Sequence, residues 1–367
     1  MSEQTSTLQA GDDFNHGFTP GNTQERPFSF SGSGSEYFRI WIVNLLLSII
    51  TLGIYSAWAK VRRTTYFYNS TSVAGGSFDY HGNPLAILKG RFVALMLILL
   101  YQLAYKTSGI ASLIILIVVG LAMPWLIWKS LQFKLYNSSY RGIRFNFRGS
   151  LKQAYTVYLM WPIISMVSLF LASPLAHQRL KKFQHEESRF GRSHFSFDAT
   201  VGSFYKRYAI FFLIWLAGII LITVLFGGTI AAMIKAGGDR TQASAAGAFA
   251  GIAFIFGIYA WTFLLFPVVS MLIQNLIWNH TQLGPHHFRC EMKWGRVVFL
   301  SVTNLLGVIC TLGLFLPFAQ TRWLRYRVES MTLLESGSLE DFVADEKAQV
   351  SATGEGMADL LDFDLSL

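Results

Sequence analysis

The stretch "TLGIYSAWAKVRRTTY", residues 51–66, returns 260 positions later as "TLGLFLPFAQTRWLRY", residues 311–326. Extended back to Asn44 and Asn304, the two stretches share 10 of 23 positions without a gap, more than common hydrophobicity produces. Self-similarity of this kind is typical of an internal repeat. The sequence therefore predicts one structural unit built more than once.

Five short aromatic motifs connect the two copies. They are "FSF" at 28–30, "FDY" at 78–80, "FNF" at 145–147, "FSF" at 195–197 and "FRC" at 288–290. Four of them follow a glycine by three or four residues, which indicates a helix end, a turn and a short strand. The predicted membrane domain, residues 28–334, then consists of five repeats: 28–77, 78–144, 145–194, 195–287 and 288–334.

The composition is that of a membrane protein. Of the 367 residues, 52% are hydrophobic and 14% are charged, whereas about a quarter of a soluble chain is charged. Apolar runs at 107–128, 208–234 and 243–278 are long enough to cross roughly 30 Å of hydrocarbon. We therefore predict an all-α polytopic membrane protein of five helical-hairpin units, with short cytoplasmic β elements formed by the aromatic motifs.

The distribution of charge predicts the topology. If every unit is a hairpin that returns to its starting side, only Lys106, Lys235 and Arg240 of the 30 basic residues lie on the opposite face. The positive-inside rule then predicts that the basic face and both termini are cytoplasmic. The short units remain open between single spans, such as Ile40–Ala59, and re-entrant hairpins whose aromatic strands pair into a small sheet.

Both ends of the chain are predicted to be disordered tails. Residues 1–27 are polar and rich in Ser, Thr, Gly and Asn. Residues 335–367 carry nine acidic residues and a single basic one, Lys347. Segments of low hydrophobicity and high net charge do not bury enough apolar surface to fold.

The first unit also carries a family resemblance. The string "FSFSGSGSEYFRIWIVNLLLSIITLGIYSAWAKVRRTTYFYNST", followed by "GGSFDYHGNPLAILKGR", resembles the YjgN-like family of bacterial inner-membrane proteins. The similarity extends over about residues 27–335 and is densest in the first unit. It implies a multi-pass protein of the bacterial inner membrane, and it supplies no catalytic residues, because the family is a domain of unknown function.

Polar residues inside the apolar runs are the candidates for a cavity. They are amides and hydroxyls at Asn44, Asn304, Thr51, Thr311 and Gln102, and the first four form two pairs at equivalent repeat positions. They either line a polar cavity between the first and fifth units or act as interhelical hydrogen-bond contacts, worth roughly 1 kcal/mol or less each. No Asp, Glu, His or Arg lies within the long apolar runs, which argues against a proton relay.

Basic residues that flank the apolar runs are the candidates for contact with anionic lipid headgroups. This predicted lipid interface consists of Lys60, Arg62, Arg63, Lys129, Arg179, Lys181, Lys182, Arg322 and Arg325, and Arg327 belongs to the same basic belt. Because the net charge of +9 sits in these short clusters, we expect membrane lipids and no nucleic acid as partners. The sequence leaves the oligomeric state open.

Motifs for catalysis or metal binding are not found in the sequence. His280, His286, His287 and Cys290 match no zinc spacing, and no phosphate loop or nucleophile elbow occurs. We therefore expect no catalytic residues, no metal and no cofactor, and we do not expect an enzyme. Two functions stay open: transport of a neutral or amphipathic small molecule or lipid, and a non-transport scaffold that binds lipids or a partner.

Overall fold

The computed structural model describes residues 24–235 and 245–352. Its helices are α1 (Gly34–Ile50), α2 (Ser56–Asn69), α3 (Pro84–Thr107), α4 (Gly109–Tyr136), α5 (Leu151–Tyr155), α6 (Trp161–Val167), α7 (Ser173–Glu186), α8 (Val201–Lys235), α9 (Ala245–Asn279), α10 (Trp294–Cys310), α11 (Leu316–Glu329) and α12 (Leu339–Ala352). A π-helical turn, Thr156–Met160, joins α5 to α6. The strands are β1 (Gln24–Pro27), β2 (Ser29–Phe30), β3 (Thr71–Val73), β4 (Gly76–Tyr80), β5 (Ser138–Tyr140), β6 (Ile143–Phe147), β7 (Ser188–Phe190), β8 (Ser193–Phe197), β9 (Thr281–Leu283), β10 (His286–Cys290) and β11 (Met331–Glu335).

These strands form one antiparallel sheet in the order β1-β11-β10-β9-β8-β7-β6-β5-β4-β3-β2. The prediction of an all-α fold with short β elements is therefore wrong. Each aromatic motif does form a strand. Between every two neighbouring aromatic strands, however, lies a second strand that directly follows a helix and pairs with both of them. Those second strands have three residues in β3, β5, β7 and β9, too few for a period-two pattern to stand out in the sequence.

The sheet nearly closes into a barrel because its two end strands belong to one segment. β1 pairs with β11, β2 pairs with β3, and only Phe28 separates β1 from β2. The Phe28 N–H donates to the Met331 carbonyl (3.0 Å), and the Ser31 N–H donates to the Ser70 carbonyl (2.9 Å). The segment from Gln24 to Ser31 thus joins the first and last parts of the described chain.

The register places unlike structures at the two ends of the barrel. At one end, which we call the turn end, two-residue turns connect the paired strands, and Gly75 and Gly142 occupy the left-handed region with φ of 75° and 82°. At the other end, which we call the helical end, the chain leaves for a helical hairpin and returns from it, as at the pair Tyr80 and Ser138. All five helical hairpins leave from the helical end. They are α1/α2, α3/α4, α5–α7, α8/α9 and α10/α11.

Among the described residues, four helices, α3, α4, α8 and α9, are long and apolar enough to cross a membrane. In their most apolar windows no more than 11% of the residues are buried inside the protein. Large apolar side chains along these helices are therefore exposed, among them Leu99, Ile117, Leu213 and Phe256. Side chains of this kind face lipid in membrane proteins.

The other three hairpins end in apolar tips. Leu52, Leu169 and Leu312 occupy them with exposures of 94%, 83% and 95%, and each has a positive φ of about 50°. The backbone at the tips is hydrogen-bonded within the turn, since the Gly53 N–H donates to the Ser48 carbonyl (2.7 Å) and the Gly313 N–H to the Val308 carbonyl (2.8 Å). Exposed leucines on a backbone whose polar groups are hydrogen-bonded within the turn suit hydrocarbon surroundings.

Part of each predicted disordered tail is structured. Residues 24–27 form β1, because an extended segment there pairs with β11. Residues 339–352 form α12, whose apolar side chains Leu339 and Val343 are buried against the barrel. The remaining parts of the predicted tails, 1–23 and 353–367, lie outside the described residues, as does Arg240.

Candidate functional site: the axis of the barrel

A ring of five phenylalanines surrounds the axis of the barrel. It consists of the first residue of each aromatic motif: Phe28, Phe78, Phe145, Phe195 and Phe288. Successive ring centroids lie 6.3 Å apart for Phe28–Phe78, 6.4 Å for Phe78–Phe145, 6.4 Å for Phe145–Phe195, 6.3 Å for Phe195–Phe288 and 6.4 Å for Phe288–Phe28. The contacts close a complete circuit, which we call the phenylalanine ring.

The phenylalanine ring narrows the axis to an apolar constriction. With sides of 6.3–6.4 Å, a regular pentagon has its corners about 5.4 Å from its centre, so the aromatic rings themselves fill much of the opening. Neighbouring ring planes differ by 13° to 40°, and none of the five contacts is edge-on. Constrictions of this kind block ions by losing their water.

A second layer of side chains lies two residues further along each strand, at the helical end. Its members are Phe30, Tyr80, Phe147, Phe197 and Cys290, all no more than 8% exposed. Their aromatic contacts run to the ends of helices: Tyr80 packs on Tyr68 of α2 at 5.6 Å and Phe197 on His185 of α7 at 5.4 Å. This layer therefore fastens the barrel to the helical hairpins.

Below the second layer, four basic residues on four different helices come together. We call Lys60 (α2), Lys134 (α4), Lys181 (α7) and Arg327 (α11) the cationic cluster. After burial, the nearby charges of Arg327 and Lys134 lower the pKa of Lys181. The pKa of Lys60 is lowered by burial and then by the charges of Arg91, Arg63 and Lys134. The ion pairs found among the described residues include none of the four.

The surroundings of the cluster disfavour charge. Burial, followed by the charges of Arg327 and Lys134, lowers the pKa of Lys181, and burial lowers the pKa of Arg327. The nearby His177 and His185 are uncharged at neutral pH, because burial and the Lys181 charge lower the pKa of each to about 4. The cluster is therefore a patch of positive charge in which Lys181 is half-buried and the other three side chains are exposed.

At the turn end, helix α12 lies across the mouth of the barrel. Phe342 packs edge-on against His286 at 4.9 Å and stacks on Phe190 at 6.4 Å. The buried carboxylate of Glu346 accepts the Arg192 N–H (2.6 Å) and the Ser193 hydroxyl (2.6 Å). At the turn end of the barrel, α12 thus covers the axis, and the hydrogen bonds of Glu346 hold this helix to the turn at Arg192.

The predicted cavity residues do not meet in one place. The hydroxyl of Thr51 donates to the Leu47 carbonyl (2.7 Å) and accepts the Tyr55 N–H (2.9 Å), which secures the tip of its hairpin. Thr311 makes the same two bonds in the fifth hairpin, at 2.7 Å and 2.8 Å. Gln102 is exposed on α3.

The two asparagines of the predicted cavity differ in their surroundings. Asn304 accepts a hydrogen bond from Arg322 (2.8 Å) and donates to the Ala319 carbonyl (3.4 Å). Asn44 is buried, and within the described chain its Oδ1 has no hydrogen-bond partner.

The residues of the predicted lipid interface occupy two kinds of position. Lys60, Arg62, Arg63, Lys129, Arg179 and Arg325 are exposed, while Lys181, Lys182 and Arg322 are half-buried. Two of them have an acidic partner one helical turn away, Lys182 with Glu186 and Arg325 with Glu329. Lys60 and Lys181 belong instead to the cationic cluster.

Sequence reasoning missed Lys134 and gave the aromatic motifs no role beyond strand formation. Lys134 stands four residues before β5, and Arg327 stands four residues before β11. That common spacing was the available signal. The phenylalanine ring was less accessible, because it depends on every strand of the barrel being in one register.

Comparisons with known proteins agree with these membrane features. A family model described as "Bacterial protein of unknown function (DUF898)" matches residues 25–360. The chain is 28% identical over 148 residues to "Inner membrane protein YjgN" of Salmonella typhimurium, covering 39% of this chain and 36% of that relative. It is 31% identical over 161 residues to the protein of the same name from Escherichia coli O157:H7, covering 41% and 39%. The predicted resemblance is thus confirmed, although each alignment covers little more than a third of the relative, and no solved structure matches.

Proposed function

We propose that this chain, which belongs to the DUF898 family of bacterial proteins of unknown function, forms a passage through the inner membrane for an amphipathic small molecule. The passage runs along the axis of the barrel, and the phenylalanine ring is its gate. In this proposal the five helical hairpins are copies of one unit around the axis. The barrel and both ends of the chain are cytoplasmic, in keeping with the positive-inside rule.

The phenylalanine ring is the observation that carries the proposal. A barrel core that only needs filling accepts apolar side chains of varied size in interlocked layers. Here one residue type recurs on five strand segments at one height, and its members contact one another around a circuit. Hydrophobic constrictions around an axis gate membrane pores by excluding water.

An amphipathic cargo fits the surfaces along this route. The phenylalanine ring and the lipid-facing helices offer apolar contact. The cationic cluster and the half-buried Gln184, which donates to the Tyr158 hydroxyl at 3.0 Å, offer polar contact. A molecule with one apolar and one polar part interacts with both surfaces.

A non-transport scaffold remains a second candidate because the barrel is closed in this conformation. The phenylalanine ring narrows its centre, and α12 covers its turn end. On this alternative, the exposed basic residues Arg62, Lys129 and Arg179 bind anionic lipid headgroups, and the ring is a structural core.

Chloride flux through reconstituted protein separates the two candidates. The full chain is placed in liposomes that contain a halide-quenched dye, and the double variant Phe145→Ala/Phe288→Ala is compared with the unmodified chain. We expect the variant to admit chloride faster than protein-free liposomes, since removing two rings widens and wets the constriction. Each protein is also measured with Glu346→Gln, which loosens the cover formed by α12.

The control is Phe183→Ala/Phe204→Ala, which removes the same two side chains from buried helical positions away from the ring. A gate predicts that this control stays tight. If the ring variants are as tight as protein-free liposomes, with and without Glu346→Gln, the passage is excluded and the scaffold stands. An equal leak from ring and control variants would also exclude the ring as a gate.

A further inference from the structure

The position four residues before a strand lies in the last turn of each returning helix, and in α2 it faces the interior of the barrel at its helical end. In α2 this position is Phe67, whose ring contacts that of the inward-facing Phe30 at 6.4 Å. In α11 it is Arg327, which interacts with Cys290, the second-layer residue of the preceding strand. In α4 it is Lys134. Two of the five helices therefore direct a cation to a position where α2 places an aromatic ring.

Lys181 reaches the same space from one helical turn further along. It stands seven residues before β7, and Leu324, at the same position in α11, packs against the core of the barrel. Positions four and seven residues before a strand lie on one face of a helix. Lys181 donates to Gln184 Oε1 (3.1 Å), which holds the ammonium group on that face.

Three like charges at this place are costly for the folded protein. Lys134, Lys181 and Arg327 come from helices α4, α7 and α11, and Lys181 interacts with both of the others. Lys134 and Arg327 nevertheless remain exposed, so the space between the helices is open to water. Like charges gathered around such a space gain most from an anion that neutralises them.

We infer that the cationic cluster is a binding site for an anionic group, and that the cargo of the passage is an amphipathic molecule with a phosphate-type or carboxylate headgroup. This inference rests on the proposed function. The guanidinium of Arg327 binds two oxygens of such a group at once, and Lys134 and Lys181 supply compact charges. The phenylalanine ring, next along the axis, contacts the apolar part of the molecule.

Ion selectivity tests the site. The leaky Phe145→Ala/Phe288→Ala variant is placed in planar bilayers, and the reversal potential in a potassium chloride gradient gives the ratio of chloride to potassium permeability. We expect chloride to be favoured ~10-fold, because a path lined by one sign of charge concentrates the opposite ion. Adding Lys181→Gln and Arg327→Gln should bring the ratio close to one.

The matched control adds Lys182→Gln and Arg325→Gln to the same leaky variant. Like the test changes, these remove one lysine and one arginine. Lys182 is next to Lys181 and Arg325 is two residues from Arg327, but both are paired with glutamates outside the cluster. The control should keep its preference for chloride. Current without selectivity, or selectivity that falls equally in both sets, would overturn the anion site while leaving the passage in place, whereas absence of any current would overturn the passage itself.

Block of the chloride current identifies the kind of anion. Dodecyl phosphate, inorganic phosphate and dodecyl maltoside are added in turn to the leaky variant. We expect dodecyl phosphate to block at the lowest concentration, and its block to weaken at least ~10-fold with Lys181→Gln and Arg327→Gln. Equal potency of inorganic phosphate would overturn the amphipathic part of the inference. Equal potency of dodecyl maltoside would show that charge is not recognised.

Discussion

The ring centroids of Phe28 and Phe288 lie 6.4 Å apart, although these residues stand in the first and last aromatic motifs of the chain. Their contact completes the phenylalanine ring. Replacing Phe28 by Ala removes a nearly buried aromatic side chain and its two neighbours' contacts. We expect the free energy of unfolding to fall by about 3 kcal/mol, measured by thermal unfolding in detergent. Phe28→Leu keeps most of the volume and should cost less, and equal effects of the two changes would contradict this account.

Helix α12 should detach when Glu346 loses its charge. The carboxylate is buried and accepts two hydrogen bonds, so Glu346→Gln replaces one acceptor by a donor facing Arg192 N–H or the Ser193 hydroxyl. Charged hydrogen bonds of this kind are worth about 1.5–3 kcal/mol each. We expect faster proteolytic cleavage within α12, followed by mass spectrometry. Glu340→Gln, at an exposed position of the same helix, is the control and should leave the cleavage rate unchanged.

Acid should weaken the junction between β11 and α12. Burial alone would raise the pKa of Glu335, but hydrogen bonds from Arg26 (2.9 Å) and the Leu339 N–H (2.6 Å) outweigh it and hold the pKa below its ordinary value. A carboxylate with a lowered pKa in the folded state stabilises the protein above the ordinary value of 4.5, and that stability is lost as the pH falls below it.

The pH dependence is measured as the difference in Tm between the unmodified chain and Glu335→Gln. The difference should be largest at neutral pH and should shrink below pH 4.5 as Glu335 becomes protonated. A difference that stays constant down to pH 3.5 would mean that the charge of Glu335 contributes nothing to stability.

The threonines at the hairpin tips should act through their hydroxyl groups. Thr51→Val and Thr311→Val each leave a backbone N–H at the tip, that of Tyr55 or Phe315, without its acceptor. We expect each to lower stability by about 1 kcal/mol, measured as thermal unfolding. Thr51→Ser and Thr311→Ser retain the hydroxyl and should be close to neutral. A loss of stability in the Ser variants with none in the Val variants would assign the effect to the methyl group.

The proposed topology makes a prediction about labelling from outside the cell. Single cysteines replace Ser108, in the turn between α3 and α4, and Ser77, an exposed residue of β4, in a chain carrying Cys310→Ser. A membrane-impermeant maleimide should label position 108 in intact cells and position 77 only after lysis. Labelling of position 77 in intact cells would place the barrel in the periplasm.

The sequence predicted the membrane character of the chain and its family relationship because long apolar runs and the first unit are strong local signals. The closed sheet was not predictable in the same way. Each motif such as Phe145–Phe147 indicates one strand, whereas its partner Ser188–Phe190 is short and follows a helix directly. Closure depends on β1, a segment whose polar sequence gives no strand signal until β11 is present beside it.

The candidate site was predicted in part. Lys60 and Lys181 were assigned to the lipid interface because the sequence shows that they flank apolar runs. It does not show which face of a helix points to the axis. Lys134 ends a long apolar run, where a basic residue is the ordinary mark of a membrane boundary, so nothing in its immediate neighbourhood set it apart.

The pairing of Gln24–Phe30 with both β3 and β11 sets an order of events during synthesis. The N-terminal segment leaves the ribosome first, yet its partner β11 is made about 300 residues later, after the hairpins between them. Until then β1 and β10 each have an unpaired edge, and the phenylalanine ring is incomplete. The nascent protein therefore inserts its helices before it has a closed barrel. The barrel closes, and the fold becomes stable, only after β11 has been synthesised.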